Sequence, residues 1–227
     1  RDSSYGDAMK ITHLGHACLL AEYPDARILI DPGSFSDVSG VSVVDAVLIT
    51  HQHADHLDLD KLRGVLERNP DVPVCADPGS LTVLREAGID AQENQAGQAF
   101  SVGSVRVTPI GRMHAEIHPY IERIPNLGVT LQADGDPTLF HPGDALDGQP
   151  LEHIDILAVP VSAPWGAVKE TIAFVRRIAP SVVVPIHDGT LSEVGRGMYL
   201  KHIGDFGLDG GVPVRDLRGE PATSFDA

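Results

Sequence analysis

Three histidines and an aspartate fall within six consecutive positions, His51-Gln52-His53-Ala54-Asp55-His56. The run follows directly on the apolar stretch Val47-Leu48-Ile49-Thr50, so a strand would deliver these side chains at its C-terminal rim. On an extended backbone His51 and His53 point the same way and can chelate one cation. Asp55 and His56 come where the chain must turn toward an amphipathic segment starting at Leu59, and the turn can aim them at a second cation beside the first. Imidazole nitrogens with a carboxylate suit zinc, and also iron, manganese or nickel. A histidine-rich surface turn is the bland alternative. So many ligand-type residues packed against a strand end argue against it.

A two-metal site needs more ligands than the hexad holds, and three further residues follow apolar runs. His114 comes after 105–110, Asp144 after 138–141 in His141-Pro142-Gly143-Asp144, and His187 after 182–186 in Pro185-Ile186-His187-Asp188. Loops at strand ends on a rigid scaffold are where convergent ligands are built. His118 competes with His114 but lies farther from its strand, so it is read as a candidate pocket residue. His16 follows Leu14-Gly15 and either reaches the rim, beside the metals or the substrate, or caps its turn. His141 is read first as a packed strand-end residue, and His13, His153 and His202 as structural or surface residues. Trp165, the one tryptophan, sits in Ser162-Ala163-Pro164-Trp165-Gly166 and is read as a pocket wall. Arg112 and Arg123 could meet an anionic substrate group but are read first as surface residues, and Asp188 as a loop residue.

These residues carry a family resemblance. His51 to His56 resembles the His-x-His-x-Asp-His motif of the metallo-β-lactamase fold superfamily, and Ile30-Asp31-Pro32-Gly33 resembles its first motif, an Asp ending a strand. His114, Asp144 and His187 resemble its later single-residue motifs, in order. Thr12-His13-Leu14-Gly15-His16-Ala17 and Val184-Pro185-Ile186-His187 are similar to the branch of small metal-dependent hydrolases related to the L-ascorbate-6-phosphate lactonases. The resemblance implies an α+β fold, a four-layer αββα sandwich with its site at one rim. It would put His51, His53 and His114 on one metal and Asp55, His56 and His187 on the other. Asp144 would bridge them, and Asp31 would orient the hexad through hydrogen bonds. It implies two divalent ions, zinc first, with Mn2+, Ni2+ or Fe2+ as alternatives. The implied activity is hydrolysis of a small ester, lactone or phosphoester by a metal-bound hydroxide, with Asp55 as the catalytic proton carrier.

Other readings stay open. One is a mononuclear iron oxidoreductase of the same fold, akin to the persulfide dioxygenases; diiron flavoproteins of the superfamily carry Glu where this chain has His53. Another is a non-catalytic metal-binding protein. A nuclease is disfavoured by charge: 17 Lys and Arg against 32 Asp and Glu give −15, which repels phosphate backbones and anionic membranes. A small-molecule substrate is therefore expected, with no nucleic acid and no membrane partner; a homo-oligomer is compatible with the sequence.

The elements that must position these residues are short Val/Ile/Leu runs alternating with amphipathic stretches. Strands are expected at 11–14, 17–23, 27–31, 46–50, 74–76, 105–110, 127–132, 138–141, 154–159 and 182–186, with a closing strand at 212–216. Helices are expected at 59–69, 80–87, 167–178 and 191–203. Strands cluster early with few helices between them, which fits two sheets packed face to face with helices outside better than a doubly wound sheet. Two cysteines, Cys18 and Cys75, cannot make a disulfide framework and are read as buried thiols. With no secretory segment and no membrane-length apolar run in view, a cytoplasmic location is expected. Residues 1–8 are polar and aperiodic; they are read as a non-native leader, Met9 as the initiator, and 9–227 as a single domain.

Overall fold

A computed structural model describes residues 8–226; residues 1–7, most of the expected leader, and Ala227 lie outside the described residues. The chain begins with β1 (Met9–Gly15), β2 (Cys18–Tyr23), β3 (Ala26–Ile30) and β4 (Ala46–Ile49), then α1 (Leu59–Arg68), β5 (Val74–Ala76), α2 (Pro78–Glu86) and β6 (Gln92–Glu93). It continues with β7 (Phe100–Val102), β8 (Val105–Ile110), β9 (Gly128–Gln132), β10 (Leu139–His141) and β11 (Ile156–Pro160). It ends with α3 (Val168–Ile178), β12 (Val182–Ile186), α4 (Glu193–Phe206) and β13 (Thr223–Phe225).

The strands form two mixed sheets, ordered β13-β1-β2-β3-β4-β5-β6 and β12-β11-β10-β9-β8-β7. The period of two along each strand sends alternate residues to opposite faces. Ile28, Ile30 and Leu48 of the first sheet meet Val107, Leu131, Ala158 and Val184 of the second in a central core. Leu29, Val47 and Ile49 face the other way, onto Leu62 and Val65 of α1 and Leu84 of α2. On the far side Leu157, Val159 and Val183 pack against Phe174 and Val175 of α3 and Ile203 of α4. The layers are thus helices, sheet, sheet, helices, the expected αββα sandwich. Burial on both faces is why β4 and β11 read as unbroken apolar runs.

Helix starts follow capping chemistry. The Asp58 carboxylate accepts from the Asp60 and Lys61 amides, and the Asp77 carboxylate from Gly79 and Ser80, with Pro78 at the first position. Both cysteines are free and buried, and burial pushes the Cys75 thiol up to about 11.

Some elements differ from expectation. Residues 212–216 form no strand. Their carbonyl and amide exchange a single pair of bonds with Val183, and Pro213 has no N–H to extend it. The closing strand is β13, which pairs antiparallel with β1 in the other sheet. The edge strands β6 and β7 are two and three residues long, too short to show a period.

One position predicts its own improvement. Ala179 ends α3 with φ 53° and ψ 55°, a left-handed geometry that favours glycine. Ala179→Gly is expected to raise stability by about 0.5–1 kcal/mol in urea denaturation.

Candidate metal centre

Every residue expected at the centre sits where a strand ends. The loop after β4 carries His51 to His56. His114 follows β8, Asp144 follows β10 and His187 follows β12. The turn between β1 and β2 brings His16, and the loop after β11 brings Trp165. The parallel ladders β3–β4–β5 and β10–β11–β12 put these carboxyl ends on one rim.

The rim gathers ligand atoms into three overlapping groups, each spanning no more than 4.8 Å: His51, His53 and His114; His51, His56 and Asp144; and His16, Asp55, His56 and His187. Asp144 lies between them. Its Oδ2 is 3.4 Å from His114 Nε2 and 3.1 Å from His187 Nε2, and its Oδ1 is 3.0 Å from His56 Nε2. All seven residues expected to hold metal are therefore adjacent, and His16 stands among them in the third group. His118 is not among them: it is exposed and packs beside Tyr120.

Hydrogen bonds behind the rings decide what faces inward. His114 Nδ1 donates to Ala115 O at 2.6 Å and His187 Nδ1 to Ser162 O at 2.6 Å. His56 Nδ1 donates to Asp31 Oδ2 at 2.7 Å. The Thr50 hydroxyl donates to that same Asp31 oxygen, so its own oxygen accepts from His51 Nδ1 at 3.1 Å. Asp31 thus orients two histidines at once, and its Oδ1 also takes the Thr50 amide. With each Nδ1 carrying its proton outward, the Nε2 lone pairs face the centre. The Nε2 atoms of His51, His56, His114 and His187, with Asp144 Oδ1, are buried and make no hydrogen bond. Each such atom costs about 1–3 kcal/mol if left so. A nitrogen-and-carboxylate donor set whose neutral rings turn lone pairs inward with no donor to meet them fits divalent cations.

Electrostatics agree. Burial opposes charge on His56, yet Asp144 and Asp31 outweigh it and hold its pKa well above the usual imidazole value. Burial also opposes charge on His187, and the Asp144 and Asp55 carboxylates bring it up to about 9. Asp144, despite burial, is held far below the carboxylate range by His56, His114 and His187. Without a cation, protons on these two histidines balance the buried carboxylates, and a cation would displace them. His51 goes the other way, well below the usual value, through burial and the neighbouring His56.

The supports include residues to which the sequence assigned no role behind the ligands. Arg123, read as a surface residue, donates twice to His114 O, at 2.9 and 2.7 Å. Buried Asn126 accepts from the Asp144 amide and donates to Pro142 O. Asp188, read as a loop residue, is buried and takes Arg196 Nε at 2.6 Å. Gly33 lies so close to the hexad that a Cβ there would meet Asp55 O at 1.8 Å. Thr50 could have been singled out from its place at the mouth of the hexad; Arg123 and Asn126 carry no local signal. Trp165 stands beside the centre, its indole N–H on Asp144 Oδ2 at 2.9 Å, with His114 and His187 edge-on to the ring. His141 is a packed strand-end residue, bonded to Ala17 O.

Comparison with known proteins places the chain. Residues 10–187 match the family described as the beta-lactamase superfamily domain, and the chain belongs to that family. Protein Rv0786c of Mycobacterium tuberculosis is 39% identical over 193 residues, covering 84% of this chain and 89% of its own length. A UPF0173 metal-dependent hydrolase of Xanthobacter autotrophicus is 27% identical over 96% of this chain and 98% of its own. Among solved structures, Igni18, a metallo hydrolase from Ignicoccus hospitalis, superposes with a TM-score of 0.76 at 17% identity, over 97% of this chain and all of the other, a likeness of fold.

Two outcomes are expected. First, Trp165 is the sole tryptophan and touches Asp144, so zinc added to chelator-treated protein should change its emission saturably. Asp144→Asn should abolish most of that change. Second, the folded pKa of His187 is raised to about 9 from 6.5, so its stabilisation is full below pH 6.5 and lost as pH rises through 9. The thermal midpoint of metal-free protein should fall across that window, and zinc-loaded protein should not follow it.

Proposed function

We propose that this metal-dependent hydrolase of the β-lactamase superfamily works with two cations. His51, His53 and His114 would hold one, Asp55, His56 and His187 the other, with Asp144 between them. The observation that carries the reading is the set of buried, inward-facing and unpartnered Nε2 and Oδ1 atoms. Zinc suits these donors best. Bound there, paired cations lower the pKa of a water toward about 7 and polarise a carbonyl or phosphoryl oxygen.

The chain's own residues supply the rest. Asp55 keeps a quarter of its side chain exposed, whereas Asp144 is 3% exposed. Asp55 is thus the carboxylate that an incoming substrate meets. It can accept the proton of an attacking water and pass it to the leaving oxygen. Asp144 is walled in by imidazoles and by Trp165, and stays ionised as the central anion. Trp165 and the half-exposed Phe35, edge-on to His16, present aromatic surface next to the centre, so the substrate is read as a small ester, lactone or phosphoester with an apolar part.

The test is elemental analysis beside a hydrolysis panel. Purified protein should hold close to two equivalents of metal. Chelation should abolish turnover of at least one lactone, aryl ester or phosphoester, and zinc or manganese should restore it. His51→Ala and His187→Ala should each lower the metal content and cut turnover by about 100-fold or more. Trace metal only, or turnover untouched by chelation, would refute the reading. A single iron with oxygen uptake would replace it by oxidoreductase chemistry.

A further inference from the structure

The four histidines whose Nδ1 atoms face acceptors present inward lone pairs. His16 stands in the same cluster, within 4.8 Å of the ligand atoms of Asp55, His56 and His187, yet its ring is set the opposite way. The Gly189 amide points at His16 Nδ1 at 3.1 Å. A backbone amide can only donate, so Nδ1 is the acceptor and the proton lies on Nε2. That Nε2–H donates to Asp55 Oδ2 at 3.1 Å. We propose that His16 is not a metal ligand but the positioning residue of Asp55, a neutral donor that fixes the exposed carboxylate of the centre at one oxygen. The proposal rests on the two-cation reading for what Asp55 does, but the ring's setting stands on the hydrogen bonds alone.

The surroundings lock that setting. His16 is 2% exposed, and its backbone lies in the left-handed region at φ 54°. Its carbonyl accepts from the His187 amide at 3.0 Å, so the turn between β1 and β2 and the loop after β12 are joined at two points. A Cβ at Gly189 would come 3.0 Å from His16 Nδ1, which shows how closely that backbone lies on the ring. Phe35 packs edge-on from a third direction, its ring centre 5.1 Å away, and the His187 ring lies 4.0 Å away. A ring held by Gly189, Phe35 and His187 is not free to flip and offer Nε2 as a lone pair.

Asp55 needs such a donor more than the other carboxylates do. Asp31 and Asp144 are buried: the Asp31 carboxylate takes the Thr50 amide, the Thr50 hydroxyl and His56 Nδ1, and the Asp144 carboxylate takes the Trp165 indole N–H among three imidazoles. The turn that carries Asp55 is held by backbone bonds, but a quarter of its side chain is in solvent, where an untethered carboxylate would sample other rotamers. One buried N–H removes that freedom without adding a charge to the centre.

The tautomer is directly readable. Long-range 1H–15N correlation spectra of histidine-labelled wild-type protein should show His16 as the Nε2–H form, both metal-free and with two equivalents of zinc. The signal is assigned by its loss in His16→Gln. His51, His56, His114 and His187 should be Nδ1–H forms once zinc is bound. Zinc titrations followed through Trp165 emission give a second readout. His16→Ala should keep the wild-type zinc stoichiometry but weaken affinity by about 10–100-fold. His16→Gln, whose amide can still donate, should recover most of that loss, whereas His187→Ala should lose one equivalent outright. An Nδ1–H signal with a zinc-shifted Nε2 on loading, or loss of a zinc equivalent in His16→Ala, would make His16 a ligand and overturn the proposal. So would unchanged affinity in His16→Ala. If wild-type protein takes up no zinc, the two-cation reading fails, and the metal-free spectrum still decides how His16 is set.

Discussion

Buried lone pairs that face one another repel and need a partner. That constraint governs this molecule. The Nε2 atoms of His51, His56, His114 and His187 converge on Asp144, and while the rings are neutral these nitrogens find no donor in the chain. The second layer of bonds causes this. Asp31, Thr50, Ala115 O and Ser162 O take the outer ring protons, and by doing so they forbid the histidines from pairing among themselves. The site is therefore unstable by construction unless protons or cations fill it, and the raised pKa values of His56 and His187 are the protonic version of that filling.

The hexad was legible because its chemistry is local: a strand end followed at once by ligand residues needs no tertiary information. His114, Asp144 and His187 were legible by a weaker rule, that each follows an apolar strand, and family order sharpened it. What joins these pieces was not legible. Asn126 holds the Asp144 amide across 18 positions, and Arg123 clamps the His114 carbonyl from a loop whose path no periodicity encodes. The same limit appears in the fold. The long buried strands announced themselves, but β13 pairs with β1 from the far end of the chain, and an apolar Val-Pro-Val stretch at 212–214 looked more strand-like than Thr-Ser-Phe. Where partners decide the outcome, local pattern misleads.

Backbone strain marks the same places. Of the four non-glycine residues with positive φ among the described residues, His16, Asp31 and His187 belong to the centre, at 54°, 49° and 60°. Such conformations cost of order 1–3 kcal/mol each and persist where surrounding contacts over-determine them. Asp31 shows how: its amide is tied to Leu48 O, and its carboxylate to Thr50 and His56. Its side chain must turn back under the hexad, and an ordinary strand continuation would point it elsewhere. The fold spends helix caps and sheet ladders on holding these few residues in unfavourable geometry.

The centre draws its residues from both sheets: the hexad from β4 in one, His114, Asp144 and His187 from β8, β10 and β12 in the other. No half of the chain can assemble it alone, and the Gly189-to-His16 contact spans 173 positions. Closing contacts of such long range carries a large loop-entropy cost and slows folding. An ion held there would tie one sheet to the other and, binding only the folded chain, would stabilise it by mass action. On the two-cation reading, metal supply would then govern how much of the chain stays folded and out of reach of proteases, beside any effect on turnover.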